Sequence, residues 1–346
     1  MGDAGTIDQL LAAGNTVSVI EGRQRVAIGH LEEVAYREGF FDWGGLDALA
    51  GGELAALIHD DRIDILIDLS GHSGRNRLPM FAFKPAPVQA SWLGLFVTTG
   101  VPGMDYIIAD PHLVAADEIP YFTEQVWSLA ESWFCLSPPA FDVAPGPLPA
   151  LSGAGVTFGC FSNLSKVSDR AVSAWVGVLQ EVPGARLFMK AKQLHEPVAR
   201  EATLARFKAH GIGPERLLLE GSAPPEDYFK AYRRVDIALD PFPYHGATTS
   251  LDGLWMGVPM VTLRGERVGA HLGESIAHAA GLADWIAGDE DSYVAIAAGK
   301  AADLEALACL RAGLRARVLG TSLFDGARFA HQFEDVLRGM WRRFAE

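Results

Sequence analysis

Short apolar runs alternate with longer segments in which apolar residues recur every three or four positions, most clearly in the second half of the chain. The short runs, bounded by turn-forming residues, predict buried strands, and the periodic segments predict helices. This alternation predicts a doubly wound α/β domain with a parallel sheet. The predicted strands of this domain are Val156–Phe161, Arg186–Met189, Leu217–Glu220, Ile237–Leu239 and Pro259–Leu263.

The first half shows a similar but less regular pattern. A helix predicted over Leu46–His59 leads into the buried strand of IDILIDLSGHSGRN, and Val88–Leu93 and Met104–Ala109 predict further strands. Val17–Ile20 and Arg25–Ile28 are compatible either with a hairpin or with separate strands of a larger sheet. We therefore expect a second α/β domain here.

Composition changes between the two halves. Ser137 to Gly155 contains five prolines and few charges, which is typical of a linker. We accordingly divide the chain into a first domain at 1–140, a linker at 141–155, a second domain at 156–320 and a final helix at 321–346.

The final segment has an apolar stripe at spacings of three to five residues. This spacing predicts an amphipathic helix over Ser322–Phe344 with its aromatic side chains buried. Periodicity alone is also satisfied by a helix packed only on the second domain. The stripe consists of Phe324, Phe329, Phe333, Val336, Leu337 and Met340.

The length and charge of the chain limit the classes of function that it can have. A chain of 346 residues with 49% hydrophobic content can bury the cores of about two domains. Its net charge of −14 argues against nonspecific binding to nucleic acid or to an anionic membrane. Three cysteines far apart in sequence predict a reducing, cytoplasmic location and show no metal-ligand spacing. Neither a membrane span nor a secretion signal is evident.

The stretch DIALDPFPYHGATTSLDGLWMGVP, from Asp236 to Pro259, carries the strongest chemical signal. It predicts a strand, a small-residue loop, and a helix for which Thr248, Thr249 and Ser250 are suitable capping residues. Free amides at such a helix start attract a phosphate, and Asp252 in the first turn is placed to accept from a ribose hydroxyl. A proline-rich connection with ordinary capping residues fits the same letters.

Two other residues follow predicted strands at the edge where ligands bind in open α/β sheets. His72 lies in a glycine turn, where a surface or structural histidine is an equally ordinary occupant. Lys166 follows the first strand of the second domain, where a cation would meet a phosphate at the Thr248 helix; an ordinary solvent-exposed lysine is the alternative.

Several strings together resemble the catalytic region of the O-linked N-acetylglucosamine transferases, particularly the bacterial branch. They are GHSGRNRLPMFAFKPAPVQASWLG, MDYIIAD, VTFGCFSNLSKVS and LDPFPYHGATTSLDGLWMGVPMVTLRGE. The resemblance covers Gly39 to the C-terminus. It implies an α/β fold of the GT-B type, with two Rossmann-like domains facing a cleft and a last helix that returns to the first domain. It also implies an inverting transferase that moves a sugar, N-acetylglucosamine, from a UDP-sugar donor to serine or threonine hydroxyls of proteins.

The resemblance assigns roles to particular residues. Asn163 and Lys166 match family residues near the donor diphosphate, with Lys166 catalytic and no metal required. Thr248 and Thr249 match the helix-start phosphate contacts, and Asp252 matches the ribose carboxylate. The resemblance also places Ala223 beside the uracil. The general base is not assigned by it, and loop position alone makes His72 and His245 candidates.

This chain departs from the family pattern at several positions. Pro225, Ala231 and Ala247 stand where relatives have a lysine near the ribose, an arginine near the base and a histidine before the paired threonines. The family's first N-terminal strand and the tetratricopeptide repeats have no counterpart in the sequence given, so we expect an incomplete first domain. A degenerate member that binds nucleotide-sugar or a partner without turnover is the alternative function, and an enzyme with a different acceptor is a third.

Overall fold

The computed structural model describes residues 17–21, 24–28, 50–74, 76–139, 141–153 and 155–346. The chain forms two compact units. One runs up to Ser137 and includes Asp325–Glu346, and the other is Pro138–Phe324. The residues before Gly51 in the helix predicted from Leu46 lie outside the described ranges, apart from Ala50.

The first unit is built on a six-stranded sheet in the order β2-β1-β3-β4-β5-β6. Its strands β1 and β2 pair antiparallel, and β1 also pairs parallel with β3, so the predicted hairpin forms and belongs to the larger sheet. The remaining neighbours pair parallel. The elements are β1 (Val17–Glu21), β2 (Gln24–Ile28), α1 (Gly51–Asp60), β3 (Ile65–Asp68), α2 (Leu78–Phe81), β4 (Val88–Ser91), β5 (Tyr106–Ala109) and β6 (Gln125–Ser128).

The second unit contains a sheet in the order β12-β11-β10-β7-β8-β9, with every neighbouring pair parallel. This is the strand order of a doubly wound nucleotide-binding domain. Its elements are β7 (Thr157–Cys160), α3 (Asp169–Glu181), β8 (Arg186–Lys190), α4 (Pro197–Lys208), β9 (Leu217–Glu220), α5 (Pro225–Ala231), β10 (Ile237–Leu239), α6 (Thr248–Trp255), β11 (Met260–Leu263), α7 (Leu272–Ala279), β12 (Ile286–Ala287), α8 (Glu290–Ala302) and α9 (Leu304–Leu319).

Hydrogen bonds from two arginines hold the proline-rich segment before β7 on the second unit. Arg311, on α9, donates to the carbonyl oxygens of Val235 at 2.7 Å and of Gly146 at 3.2 Å. Arg315 donates to the carbonyl oxygen of Val143 at 2.6 Å. These charge-assisted bonds hold the predicted linker against the body of the unit.

The last helix, α10 (Gly326–Ala345), belongs to the first unit, although the chain reaches it from the second. Asp325 caps it by accepting from the amide of Arg328 at 3.0 Å. Its apolar stripe packs on β3, β4 and β5, which confirms that the chain returns to the first domain. The buried stripe consists of Phe329, Ala330, Phe333, Val336, Leu337 and Met340.

Among the helices of the described residues, none has the length and apolar composition needed to cross a bilayer. The three cysteines are free thiols. Burial raises the pKa of the Cys160 thiol to about 12, so this side chain is a neutral part of the core.

Candidate functional site

The carboxyl ends of β7 and β10 lie side by side, because these strands pair parallel in the middle of the second sheet. The loop after β7 carries Lys166, and the loop after β10 leads to α6. The Lys166 Nζ atom donates to the carbonyl oxygen of His245 at 2.7 Å and lies 4.4 Å from the centre of the Tyr244 ring. The structure therefore brings the predicted cation to the loop that precedes the predicted phosphate-binding helix.

Burial lowers the pKa of Lys166, while the nearby Asp240 carboxylate and Cys160 act in the opposite direction. The ammonium is thus partly stripped of water. A partly desolvated cation gains more from an incoming anion than a fully hydrated one does, because the effective dielectric constant is lower. Lys166 is suited to bind a phosphate.

The loop between β10 and α6 is held from below by buried side chains. Asp240 accepts from the amide of Gly246 at 2.9 Å and from the Thr262 hydroxyl at 2.8 Å. A Cβ added at Gly246 would lie 2.5 Å from the Ser250 hydroxyl oxygen, so a larger residue here would require that hydroxyl to rotate away. The Asp240 carboxylate thus anchors this loop to β11.

His245 is a structural residue of this loop. Its side chain is 1% exposed, and Nε2 lies 2.9 Å from the carbonyl oxygen of Leu263. Burial lowers the pKa of the imidazole. The burial of the ring argues against His245 as the general base, and loop position alone could not show that the ring is buried.

The start of α6 differs from the sequence prediction in one respect. Ala247 occupies the N-cap position, and no side chain caps the helix there. Thr248 and Thr249 lie in the first turn instead, with Thr248 exposed and the Thr249 hydroxyl oxygen 3.3 Å from that of Ser162. An N-cap without a side-chain bond leaves the first amides of the helix available to an anion.

Asp252 is the carboxylate nearest this helix start in sequence. It is 8% exposed, and the Tyr228 hydroxyl donates to its Oδ2 atom at 2.9 Å. Burial raises the pKa of Asp252 to about 6, and the bond from Tyr228 acts in the opposite direction. Sequence reasoning missed Tyr228, because an aromatic residue on a short helix has the ordinary signature of a core residue.

Asn163 and Ala223 flank these residues on neighbouring loops. Asn163 Oδ1 accepts from the amide of Ser165 at 2.9 Å and from the Gln193 side chain, so its Nδ2 group is what it can offer to an anion. Ala223 follows Ser222, whose carbonyl and hydroxyl oxygens each lie 3.1 Å from His195 Nε2. His195 therefore supports the loop that carries Ala223, a contact that the sequence pattern did not indicate.

Two positions at which this chain departs from the family pattern lie in the second unit and carry no charged side chain. Pro225 is the exposed first residue of α5, and Ala231 is its buried last residue. Neither supplies a donor toward a nucleotide.

His72 belongs to the first unit, on the turn after β3, and its side chain is exposed. Its Nε2 atom lies 3.0 Å from the carbonyl oxygen of Thr98. A carbonyl can only accept, so Nε2 carries the hydrogen and Nδ1 of the neutral ring is the proton acceptor. His72 can therefore act as a base through Nδ1.

Comparisons with known sequences point to one family. The sequence profile described as Glycosyl transferase family 41 matches residues 35–137 and 148–333. SPINDLY of Petunia hybrida, named as a probable UDP-N-acetylglucosamine–peptide N-acetylglucosaminyltransferase, is 35% identical over 305 residues, which are 88% of this chain and 33% of SPINDLY. The SEC protein of Arabidopsis thaliana, with the same enzyme name, is 30% identical over 306 residues, 86% of this chain and 31% of SEC. The chain thus spans about a third of the length of these relatives.

Solved structures agree in fold. A mutant of the Thermobaculum terrenum O-GlcNAc transferase has a TM-score of 0.80 and 38% identity, covering 86% of this chain and 56% of that one. Anabaena HepE in complex with UDP and glucose has a TM-score of 0.58 and covers 86% of this chain and 83% of that one. At 14% identity, HepE shows likeness of fold alone. The predicted GT-B class, with two Rossmann-like units, is confirmed.

Proposed function

The chain belongs to glycosyl transferase family 41, and on that basis we propose that it transfers a sugar from a UDP-sugar to serine or threonine hydroxyls of proteins, with inversion. N-acetylglucosamine is the sugar we propose, because the relatives are named as N-acetylglucosaminyltransferases. The observation that carries the proposal is the position of Lys166 beside the loop that opens into α6.

The chemistry requires stabilisation of a leaving group. Breaking the bond between sugar and nucleotide leaves negative charge on the diphosphate, which fixed donors must neutralise. The first amides of α6 carry about half a positive charge, and Lys166 adds a full one. Together they supply this stabilisation from the protein's own residues, and we propose that no metal is required.

The remaining donor contacts follow from the same edge of the sheet. We assign Asn163 and Thr248 to the diphosphate together with Thr249, whose hydroxyl is half-buried beside Ser162. Asp252 accepts from a ribose hydroxyl through its carboxylate. The backbone beside Ala223, supported by His195, is assigned to the uracil.

The acceptor hydroxyl must lose a proton as the new glycosidic bond forms. His72 is the residue we propose for this step, because the bond from Nε2 to Thr98 leaves Nδ1 free to accept a proton. The acceptor we propose is a protein, because the relatives are named as peptide N-acetylglucosaminyltransferases, and the acidic chain disfavours nucleic acid as a partner. The unpaired cysteines favour the cytoplasm as the location.

The test uses the purified chain. Calorimetric titration with UDP and GDP measures base preference, and incubation with UDP- and GDP-sugars measures donor hydrolysis. Transfer to a mixture of serine- and threonine-containing peptides is followed by mass spectrometry as the gain of one sugar residue.

Each outcome distinguishes the candidate functions. UDP binding with sugar transfer to hydroxyl side chains supports the proposal. UDP binding without hydrolysis or transfer favours the degenerate member, and hydrolysis with transfer only to glycans or small molecules favours the third candidate. A chain that is folded by circular dichroism yet binds neither UDP nor a UDP-sugar would overturn the proposal.

A further inference from the structure

Two tyrosines connect Asp252 to the first turn of α6. The Tyr228 hydroxyl donates to Asp252 Oδ2 at 2.9 Å, and its oxygen lies 3.0 Å from the hydroxyl oxygen of Tyr232. Tyr232 in turn donates to the carbonyl oxygen of Thr249 at 2.8 Å. A continuous chain of hydrogen bonds therefore runs from the proposed ribose carboxylate to the proposed phosphate-binding turn.

Packing holds both phenol rings in place. Tyr232 is 3% exposed, and its ring lies 4.2 Å from that of Phe161 between centroids. Tyr228 stands edge-on to Tyr232 at 5.5 Å. The Tyr232 hydroxyl cannot leave the chain without moving a buried ring, and the half-buried Tyr228 ring packs against it.

The number of hydrogens in this chain depends on the ionisation of Asp252. When Asp252 is ionised, Tyr228 gives its hydrogen to the carboxylate, and the single hydrogen of Tyr232 faces two acceptors, Tyr228 and Thr249. When Asp252 is protonated, each hydroxyl can donate to the next group in line, ending at Thr249. The charge of Asp252 is thereby linked to the bond on a carbonyl of the first turn.

We propose that Tyr228 and Tyr232 are positioning residues of the donor site, which orient the Asp252 carboxylate toward the ribose and hold the first turn of α6 for the diphosphate. This inference rests on the proposed function for the identity of the ligand. The geometric link itself does not depend on which sugar is transferred.

The groups that face Asp252 determine how the test behaves with pH. They are Tyr228 and Tyr232, and Cys160 faces Tyr232 from β7. Burial raises the pKa values of Tyr228, Tyr232 and Cys160 above their ordinary values. Asp252 is therefore the member of this group that changes charge between pH 5 and 8, with its pKa at about 6.

The experiment compares Tyr228→Phe and Tyr232→Phe with Tyr121→Phe, whose side chain is 77% exposed in the first unit. UDP affinity is measured by calorimetry from pH 5 to 8. We expect the wild-type affinity to rise through pH 6, and Tyr228→Phe to weaken UDP binding about 3- to 10-fold at pH 7.5. The midpoint of the pH dependence of binding in Tyr228→Phe should move to higher pH, because the carboxylate loses a donor that stabilises its charge. Tyr232→Phe should weaken binding with a smaller change of midpoint.

A second measurement keeps the inference separate from the proposed function. The Asp252 carboxyl is titrated by NMR without nucleotide, with Asp252→Asn used to assign its signal. A higher Asp252 midpoint in Tyr228→Phe supports the link between Tyr228 and Asp252 even if UDP does not bind. In that case only the proposed function is overturned. An unchanged midpoint together with unchanged affinity overturns the inference. Should Tyr228→Phe not fold, Tyr232→Phe decides: an Asp252 midpoint and a UDP affinity that both match wild type overturn the inference.

Discussion

The ammonium of Lys166 lies 2.7 Å from the carbonyl oxygen of His245, and this bond ties the exit of β7 to the loop after β10. A neutral carbonyl is a weaker partner for a cation than a phosphate is. Lys166 is thus held in position by a bond that a diphosphate can replace. This environment is typical of a lysine in a preformed anion site and differs from that of a solvent-exposed lysine.

Removing this cation should impair both binding and chemistry. We expect Lys166→Ala to weaken UDP binding at least several-fold and to slow transfer by about 100- to 1,000-fold, the usual loss for one donor that faces a developing negative charge. Lys208→Ala, on the exposed surface of α4 in the same unit, is the matched control. Titration and initial rates measure the two effects. Equal affinity and rate in Lys166→Ala would remove this residue from the site.

The proposed base should behave differently from the donor contacts. His72→Gln is expected to lower the transfer rate by about 100- to 10,000-fold, because the acceptor proton has no positioned recipient. UDP affinity should stay within about twofold, since His72 lies in the first unit and the assigned nucleotide contacts lie in the second. His59→Gln, at the end of α1, is the control. A full transfer rate in His72→Gln would assign the proton transfer to another group.

Periodicity predicted the elements well where burial alone decides the pattern. β9 occupies the predicted Leu217–Glu220. The apolar stripe of α10 was also sufficient to predict a buried helix. The spacing did not show which sheet this helix packs on, and only the resemblance to the GT-B fold indicated it.

The side-chain contacts of the site could not be predicted in the same way. His245 and Lys166 both lie in loops, and spacing in a loop does not tell which side chain turns inward. Tyr228 and Tyr232 are four positions apart on one helical turn, which places them on one face but does not reveal Asp252 opposite. Contacts between residues distant in sequence depend on the conformations of neighbouring loops, and the hydrophobic pattern does not predict those conformations.

Asp252 should cost the protein stability at neutral pH. Its pKa is raised from 3.8 to about 6 in the folded state, so the folded chain binds this proton more tightly than the unfolded chain. Stability is therefore lost as pH rises from 4 to above 6, by up to about 3 kcal/mol for a shift of roughly two units. We expect Asp252→Asn to unfold at higher urea than wild type at pH 7.5, with a smaller gain at pH 4, and to bind UDP more weakly. Asp335→Asn, exposed on α10, should show neither change. A uniform stability gain at both pH values would contradict the assigned cause.

The return of α10 to the first unit should make its aromatic stripe essential for that unit. Phe333 is 8% exposed and its ring lies 4.4 Å from that of Trp92, within the core that β3, β4 and β5 form with the helix. Truncating such a side chain to alanine typically costs about 3 to 5 kcal/mol, through lost burial and the cavity that remains. Phe344→Ala is the matched control, because Phe344 lies on the same helix but is 53% exposed. We expect Phe333→Ala to unfold at lower urea, followed by tryptophan fluorescence because Trp92 contacts the mutated ring, while Phe344→Ala stays close to wild type. Similar urea midpoints for the two variants would show that the helix adds little to the first unit and that its burial there is not what stabilises the sheet.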